Sequence, residues 1–250
     1  MGLSATVKVG CCGFQTSRKR YYESLGLVEI QRTFYKLPKI ETARKWREEA
    51  PDTFEFTVKA WMALTHDPKS RIWGKTGLPC DESYGLLKPT ERNFEVWERF
   101  REVVKELGAE VVIFQSPPSF RATEENLNNA DAFFSAISGE FRLGWEIRDE
   151  SWLKDGRFQR ILENHGITHV VDVMYERPTY GEFRYYRLHG AREGRRIKYS
   201  YRYTDEDLSK LLGIVREFLL EDNYVLFNNS YYSFENAVQF KRMIEGYHSK

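Results

Sequence analysis

Glu146 and Arg148 stand two residues apart, as do Arg187 and His189, each pair at the end of a short apolar run. If those runs are strands, alternation points the members of each pair the same way, toward one shared site. The residue types suit acid–base chemistry on an anion. Partial burial would raise the Glu146 carboxyl toward neutrality as an acid or base, and His189 or His66 would supply the complementary proton-transfer group near pH 7. Arg148, Arg187 and Lys59 would hold the anion, with Glu29, Gln115, Asn228 and Asn229 lining the same substrate site and the amides taking hydroxyl or carbonyl groups. The plainer alternative is a structural network in which Glu146 and the arginines neutralise each other.

The segment 191–203 adds a second basic feature. Arg192, Arg195, Arg196 and Lys198 alternate with tyrosines that include Tyr201, a mixture suited to phosphate beside a ring, or to a solvated surface loop. His66, His189, Glu146, Glu29 and Asp172 are the candidate metal ligands, but they form no local metal-binding motif. The expectation is therefore no cofactor and no metal, with room for one divalent ion. Cys11 and Cys12 read as small buried residues. No P-loop, nucleophile elbow or G-x-G-x-x-G occurs, so nucleotide-fold and serine-triad readings lack support.

Eight β-branched and aromatic runs must position these groups. They lie at 7–14, 27–35, 53–60, 110–116, 141–148, 168–173, 183–189 and 224–228. Helical stripes intervene: Phe94, Trp97, Phe100, Val104 and Leu107 before Gly108, then Leu127 to Ile137, then Leu208 to Leu219 opened by Thr204 and Asp207 in capping-box spacing. Eight strands with helical crossovers predict an α/β fold, a TIM-type (β/α)8 barrel formed as one domain over 1–250, whose C-terminal strand ends carry the site. Nine residues between strands six and seven, with Pro178 and Gly181 among them, are too few for a crossover helix, so the sixth helix is expected to be short or missing. The long connection 61–89 after strand three has the profile of a functional loop or lid.

Composition bounds the partners. Lys and Arg number 38 against 37 Asp and Glu, so no whole-chain field gathers nucleic acid or an anionic membrane, and an anion site must be local. Three cysteines without C-x-x-C spacing, no leader-like start and no apolar run of membrane length predict a cytoplasmic protein with no membrane partner. The oligomeric state is left open. Heavy use of Glu, Lys and Arg with few Gln leans toward a protein of high-temperature origin.

Several segments, in one order along almost the whole chain, resemble the YecE-like family, a domain of unknown function. They are Val9-Gly10 through Gly13, Val28-Glu29-Ile30 with Thr33-Phe34-Tyr35, Thr65-His66, Phe114-Gln115 with Pro117-Pro118, Trp145-Glu146-Ile147-Arg148 with Ser151-Trp152, Arg187-Leu188-His189-Gly190 and Phe227-Asn228-Asn229. The resemblance implies a TIM barrel and supplies no activity. The chain departs from the family at Gly-Cys-Cys-Gly-Phe, where Gly-Thr-Ser-Gly-Trp is more usual. That architecture is distantly similar to endonuclease IV and xylose isomerase, whose richer metal-ligand sets this chain lacks. The expected function is an enzyme acting on a phosphorylated or otherwise anionic, sugar- or nucleotide-like substrate. The alternatives are a nucleic-acid-binding protein or nuclease using the basic loop, and a non-catalytic barrel binding a small molecule.

Overall fold

The computed structural model describes residues 5–194 and 196–248. Its first half runs β1 (Thr6–Cys12), α1 (Arg18–Ser24), β2 (Leu27–Ile30), α2 (Arg32–Tyr35), α3 (Ile40–Glu49), β3 (Glu55–Lys59), α4 (Met62–Thr65), a 3-10 turn (Trp73–Thr76), α5 (Glu91–Glu106) and β4 (Val111–Gln115). The second half runs α6 (Glu124–Ile137), β5 (Arg142–Glu146), α7 (Ser151–Lys154), α8 (Gly156–His165), β6 (Thr168–His169), β7 (Arg184–Leu188), β8 (Ala191–Glu193), β9 (Arg196–Lys198), α9 (Asp205–Glu217), β10 (Asp222–Phe227) and α10 (Ser233–His248).

Eight of these strands make one sheet in the order β6-β5-β4-β3-β2-β1-β10-β7, every ladder parallel. A parallel bridge between Val171 and Tyr186 joins its two edges, and the Arg187 amide donates to the Val171 carbonyl at 2.9 Å. The result is a (β/α)8 barrel of TIM type. No helix lies between β6 and β7, as the short connection requires. Among the described residues no helix is long and apolar enough to cross a membrane.

Strand alternation divides the apolar residues into two shells. Cys12, Leu27, Val111, Ile113, Val170, Phe183, Tyr185, Tyr224 and Leu226 form the barrel interior, and a larger cluster fills the layer between strands and helices. Gly144 belongs to the interior, where an added Cβ would sit 2.7 Å from Val170 Cγ2 and 2.8 Å from Ile113 Cδ1. Gly144→Ala is therefore expected to lose about 1–3 kcal/mol by overpacking, measured as a lower urea midpoint at unchanged slope. Lys8 and Arg142 pair with Glu55 and Asp222 at 2.7 and 2.9 Å at the N-terminal strand ends.

Two predicted strands end well short of their predicted limits. The run 27–35 is strand only to Ile30; Thr33 then donates its hydroxyl to the Ile30 carbonyl at 3.2 Å and the Lys59 carbonyl at 2.7 Å, and local side-chain bonding turns the chain into α2. The run 168–173 forms a ladder only at Thr168–His169, because beyond it single hydrogen bonds alternate between Trp145 and Tyr185. The 61–89 connection is built into the core through Trp61, Leu64, Trp73 and Leu87. Leu86 and Leu87 carry φ values of 53° and 50°, a strained pair beside Gly85 that Asn93 holds by accepting from the Gly85 amide and donating to the Gly85 and Lys88 carbonyls. The capping box of α9 forms as read, with Thr204 and Asp207 exchanging backbone hydrogen bonds.

Candidate functional site

Arg187 is the centre of the C-terminal end of the barrel. Its side chain is fully buried, and its fork divides between two carboxylates. Nη2 lies 2.9 Å from Glu29 Oε1, while Nη1 bonds Glu146 Oε2 and reaches Gln115 Oε1 at 3.2 Å. Register brings these donors and acceptors into reach, because Gln115 pairs with Glu146 across neighbouring strands. Glu29 also accepts from Gln31 Nε2 and from the Tyr185 hydroxyl, the latter at 2.8 Å. Since that phenol has one proton and gives it to Glu29, the Thr57 hydroxyl 2.7 Å away must be its donor.

A second chain of contacts leaves Glu146. Arg148 Nη2 lies 2.5 Å from Glu146 Oε1 and 3.0 Å from His189 Nε2. A guanidinium only donates, so His189 Nε2 accepts and the ring proton is assigned to Nδ1, which faces Asp172 Oδ2 at 3.3 Å. The Asp172 carboxylate also takes the His189 backbone amide at 3.0 Å. Burial lowers the affinity of His189 for a second proton, against the opposing pull of Glu146 and Asp172.

These charges overturn one expectation. Burial pushes the Glu146 carboxyl up, but Arg148, Arg187 and His189 more than offset it and hold the carboxyl well below its usual range. Glu146 is thus a fixed anion at neutral pH. His66 is likewise no acid–base partner near pH 7, because burial and then the Lys59 charge lower it to about 4. Its Nδ1 lies 2.9 Å from Thr65 Oγ1 and its ring meets Phe34 edge-on.

Lys59 is different. It ends β3 with a side chain 7% exposed, and no carboxylate among the described residues comes within ion-pair range. Its Nζ sits 3.7 Å from the Phe34 ring centroid, where α2 holds that ring. Burial and then Arg187 lower its pKa from 10.5 to about 7, with Glu29 and Glu146 opposing. Lys59 is thus the mouth cation whose proton affinity is drawn down toward neutrality.

The remaining candidates scatter. Asn228 is half-buried beside the mouth, its backbone amide donating to the Leu188 carbonyl at 2.8 Å. Asn229 spends its amide nitrogen on the Tyr201 carbonyl and Asn236 Oδ1, latching the loop after β7 to α10. Within this segment β8 and β9 pair antiparallel, Ala191 with Lys198 and Glu193 with Arg196. Arg192 stacks on Tyr175 at 4.6 Å, Lys198 reaches Glu193 at 3.8 Å and the Tyr201 hydroxyl donates to Asp207 at 2.7 Å. Arg196 is exposed, and Arg195 lies outside the described residues. Among the described residues of the segment, Tyr199 meets the mouth, its ring edge-on to His189 at 6.1 Å.

Tyr185, Thr57, Gln31 and Phe34 were not legible as site residues, whereas Tyr199 lies in the tyrosine-interleaved basic run read from the sequence. Alternation alone could have found Tyr185, two residues before Arg187 on the same strand. Among the described residues no three His, Cys, Asp or Glu side chains are grouped as metal ligands, and Glu29 and Glu146 are committed to guanidiniums. Burial pushes the Cys11 thiol up to about 12 and raises that of Cys12 well above its ordinary value, so neither is a ready thiolate.

Residues 13–250 match the family model described as "Protein of unknown function DUF72". The chain belongs to the DUF72 family. It is similar to the UPF0759 protein YunF of Bacillus subtilis (strain 168), 22% identical over 86% of this chain and 81% of that one. It is also similar to the UPF0759 protein YecE of Escherichia coli (strain K12), 27% identical over 62% of this chain, and spans about half (52%) of that relative's length. Among solved structures, a DUF72 protein of Enterococcus faecalis V583 superposes with a TM-score of 0.76 at 18% identity, covering 98% of this chain and 99% of that one. A DUF72 protein of Thermotoga maritima MSB8 gives 0.69 at 26% identity, covering 96% and 99%. These DUF72 structures bear out the barrel.

Proposed function

We propose that the C-terminal mouth binds a small anionic molecule and performs acid–base chemistry on it, with Lys59 exchanging the proton and Glu146 acting as a fixed anion. The observation that carries this reading is that Lys59 lacks an ion pair beside carboxylates already paired with arginines. Glu29 and Glu146 are already paired with Arg187 and Arg148, and Asp172 accepts from His189, whereas Lys59 has an aromatic face and, among the described residues, no carboxylate within ion-pair distance. An entering anion would supply the missing charge. Arg148 adds an unspent donor, its buried Nε, and Gln115 keeps its Nε2 without a partner among the described residues. A buried amine that titrates at about 7 can give or take a proton at physiological pH without help from a histidine.

Sulfate, whose charge is constant near neutrality, provides the test. Its binding should favour protonated Lys59, so each unit by which it raises that pKa makes binding about tenfold tighter at pH 6 than at pH 9. Calorimetry at pH 8 in buffers of different ionisation enthalpy should register net proton uptake, and Lys59→Met should abolish it. Sulfate binding that is equally strong at both pH values and unaffected by Lys59→Met would remove the lysine from the reading.

A further inference from the structure

We propose that Lys59 forms a covalent imine with the carbonyl carbon of an aldehyde or ketone that also carries a carboxylate or phosphate. The inference rests on the anion-binding reading above and names the substrate class it implies. A lysine used only to hold charge is normally met by a carboxylate. Here no carboxylate of the described residues lies within ion-pair distance of Nζ, Glu29 and Glu146 acting on it only from farther off; it lies over the Phe34 ring at 3.7 Å, and a small opening to solvent remains. The backbone is equally fixed, since the Lys59 carbonyl takes the Thr33 hydroxyl at 2.7 Å and the residue ends a strand bonded on both sides. Desolvation and neighbouring cations are the two conditions that give a lysine a free amine near neutral pH, and both act on Lys59, through burial and then through Arg187 and Arg148.

In the step itself, the Nζ lone pair attacks the carbonyl carbon, forming the C–N bond as the C=O pair moves to oxygen. A proton passes from nitrogen to that oxygen, giving a carbinolamine. A further proton from solvent lets the oxygen depart as water, and the nitrogen lone pair forms the C=N bond of an iminium ion. One carbonyl and one proton are consumed and one water is released. The fixed negative charge of Glu146 favours the iminium, and the unspent Arg148 Nε is a donor for the substrate's own anion. Glu146 is not the proton donor, because the arginines keep it ionised.

Sodium cyanoborohydride with pyruvate or with glyceraldehyde 3-phosphate tests this directly, since hydride transfer to the iminium carbon leaves a stable secondary amine on the lysine. At pH 7 we expect one adduct per chain by intact mass, mapped by peptide mass spectrometry to Lys59 at least tenfold above any other lysine. Labelling should rise with pH through about 7, whereas exposed lysines respond only near 10. Lys59→Arg should lose that adduct while keeping its circular dichroism spectrum, and acetone, which lacks the anion, should label tenfold less. Labelling spread evenly over surface lysines, or none at Lys59 with either probe, overturns the imine. If Lys59-linked proton uptake with sulfate survives that result, the anion-binding reading stands alone; if it is absent too, both fall.

Discussion

Arg187→Met should lose on the order of 3–5 kcal/mol of folding free energy in urea titrations, more than any other single substitution at the mouth. The side chain is fully buried and its two terminal nitrogens serve Glu29 and Glu146. Removing it strands two carboxylates in the barrel: Glu29, itself fully buried, would keep only Tyr185 and Gln31, and Glu146 only Arg148 and the more distant His189. The cost is chiefly that of uncompensated buried charge, and much less the loss of an attraction. Neutralising the stranded groups should therefore restore much of the loss, so Glu29→Gln/Arg187→Met/Glu146→Gln is expected to be more stable than Arg187→Met alone. If Arg187→Met changed stability by less than about 1 kcal/mol, or the triple variant were the weakest, the network would not be the electrostatic unit described here.

The same network explains which parts of the site were legible in the sequence. Glu146, Arg148, Arg187 and His189 could be placed together because strand alternation is a backbone property, and the structure puts all four at one end of the barrel. The chemistry of Glu146 was misjudged because its protonation depends on how many cations surround it, and Arg148 and Arg187 both do so from different strand ends. Spacing says where a side chain points and nothing about its total field. The basic segment read equally as an anion site or a solvated loop, and spacing could not show that a hairpin with Gly194 at its turn sets Arg192 on Tyr175 and Lys198 toward Glu193. Phe34 was hidden by propensity, since Thr33-Phe34-Tyr35 reads as strand until the Thr33 hydroxyl is seen bonding two carbonyls.

Lys59→Met is the substitution expected to move stability furthest in the opposite direction. The amine titrates at about 7 in the folded chain against 10.5 for an ordinary lysine, so between those values the unfolded chain binds the extra proton. Stability therefore rises with pH across that window. Above about 10.5 both states are neutral and Lys59 costs nothing through titration; as pH falls the penalty grows, and below about 7 it is fully present. At roughly 1.4 kcal/mol per pKa unit the full shift would approach 5 kcal/mol, an upper limit because Nζ keeps some contact with water. Methionine fills a similar volume and sets a thioether over the Phe34 ring, a favourable contact in its own right. We expect Lys59→Met to gain roughly 2–4 kcal/mol at pH 6 and to converge on the natural chain near pH 10, in urea titrations at matched ionic strength. A gain of that size would mean that Lys59 is held at a cost to the fold, as the anion-binding role proposed for it requires. Were Lys59→Met instead weaker at pH 6, the lysine would be part of the charge balance around Arg187, and the proton exchange and imine assigned to it would lose their physical basis.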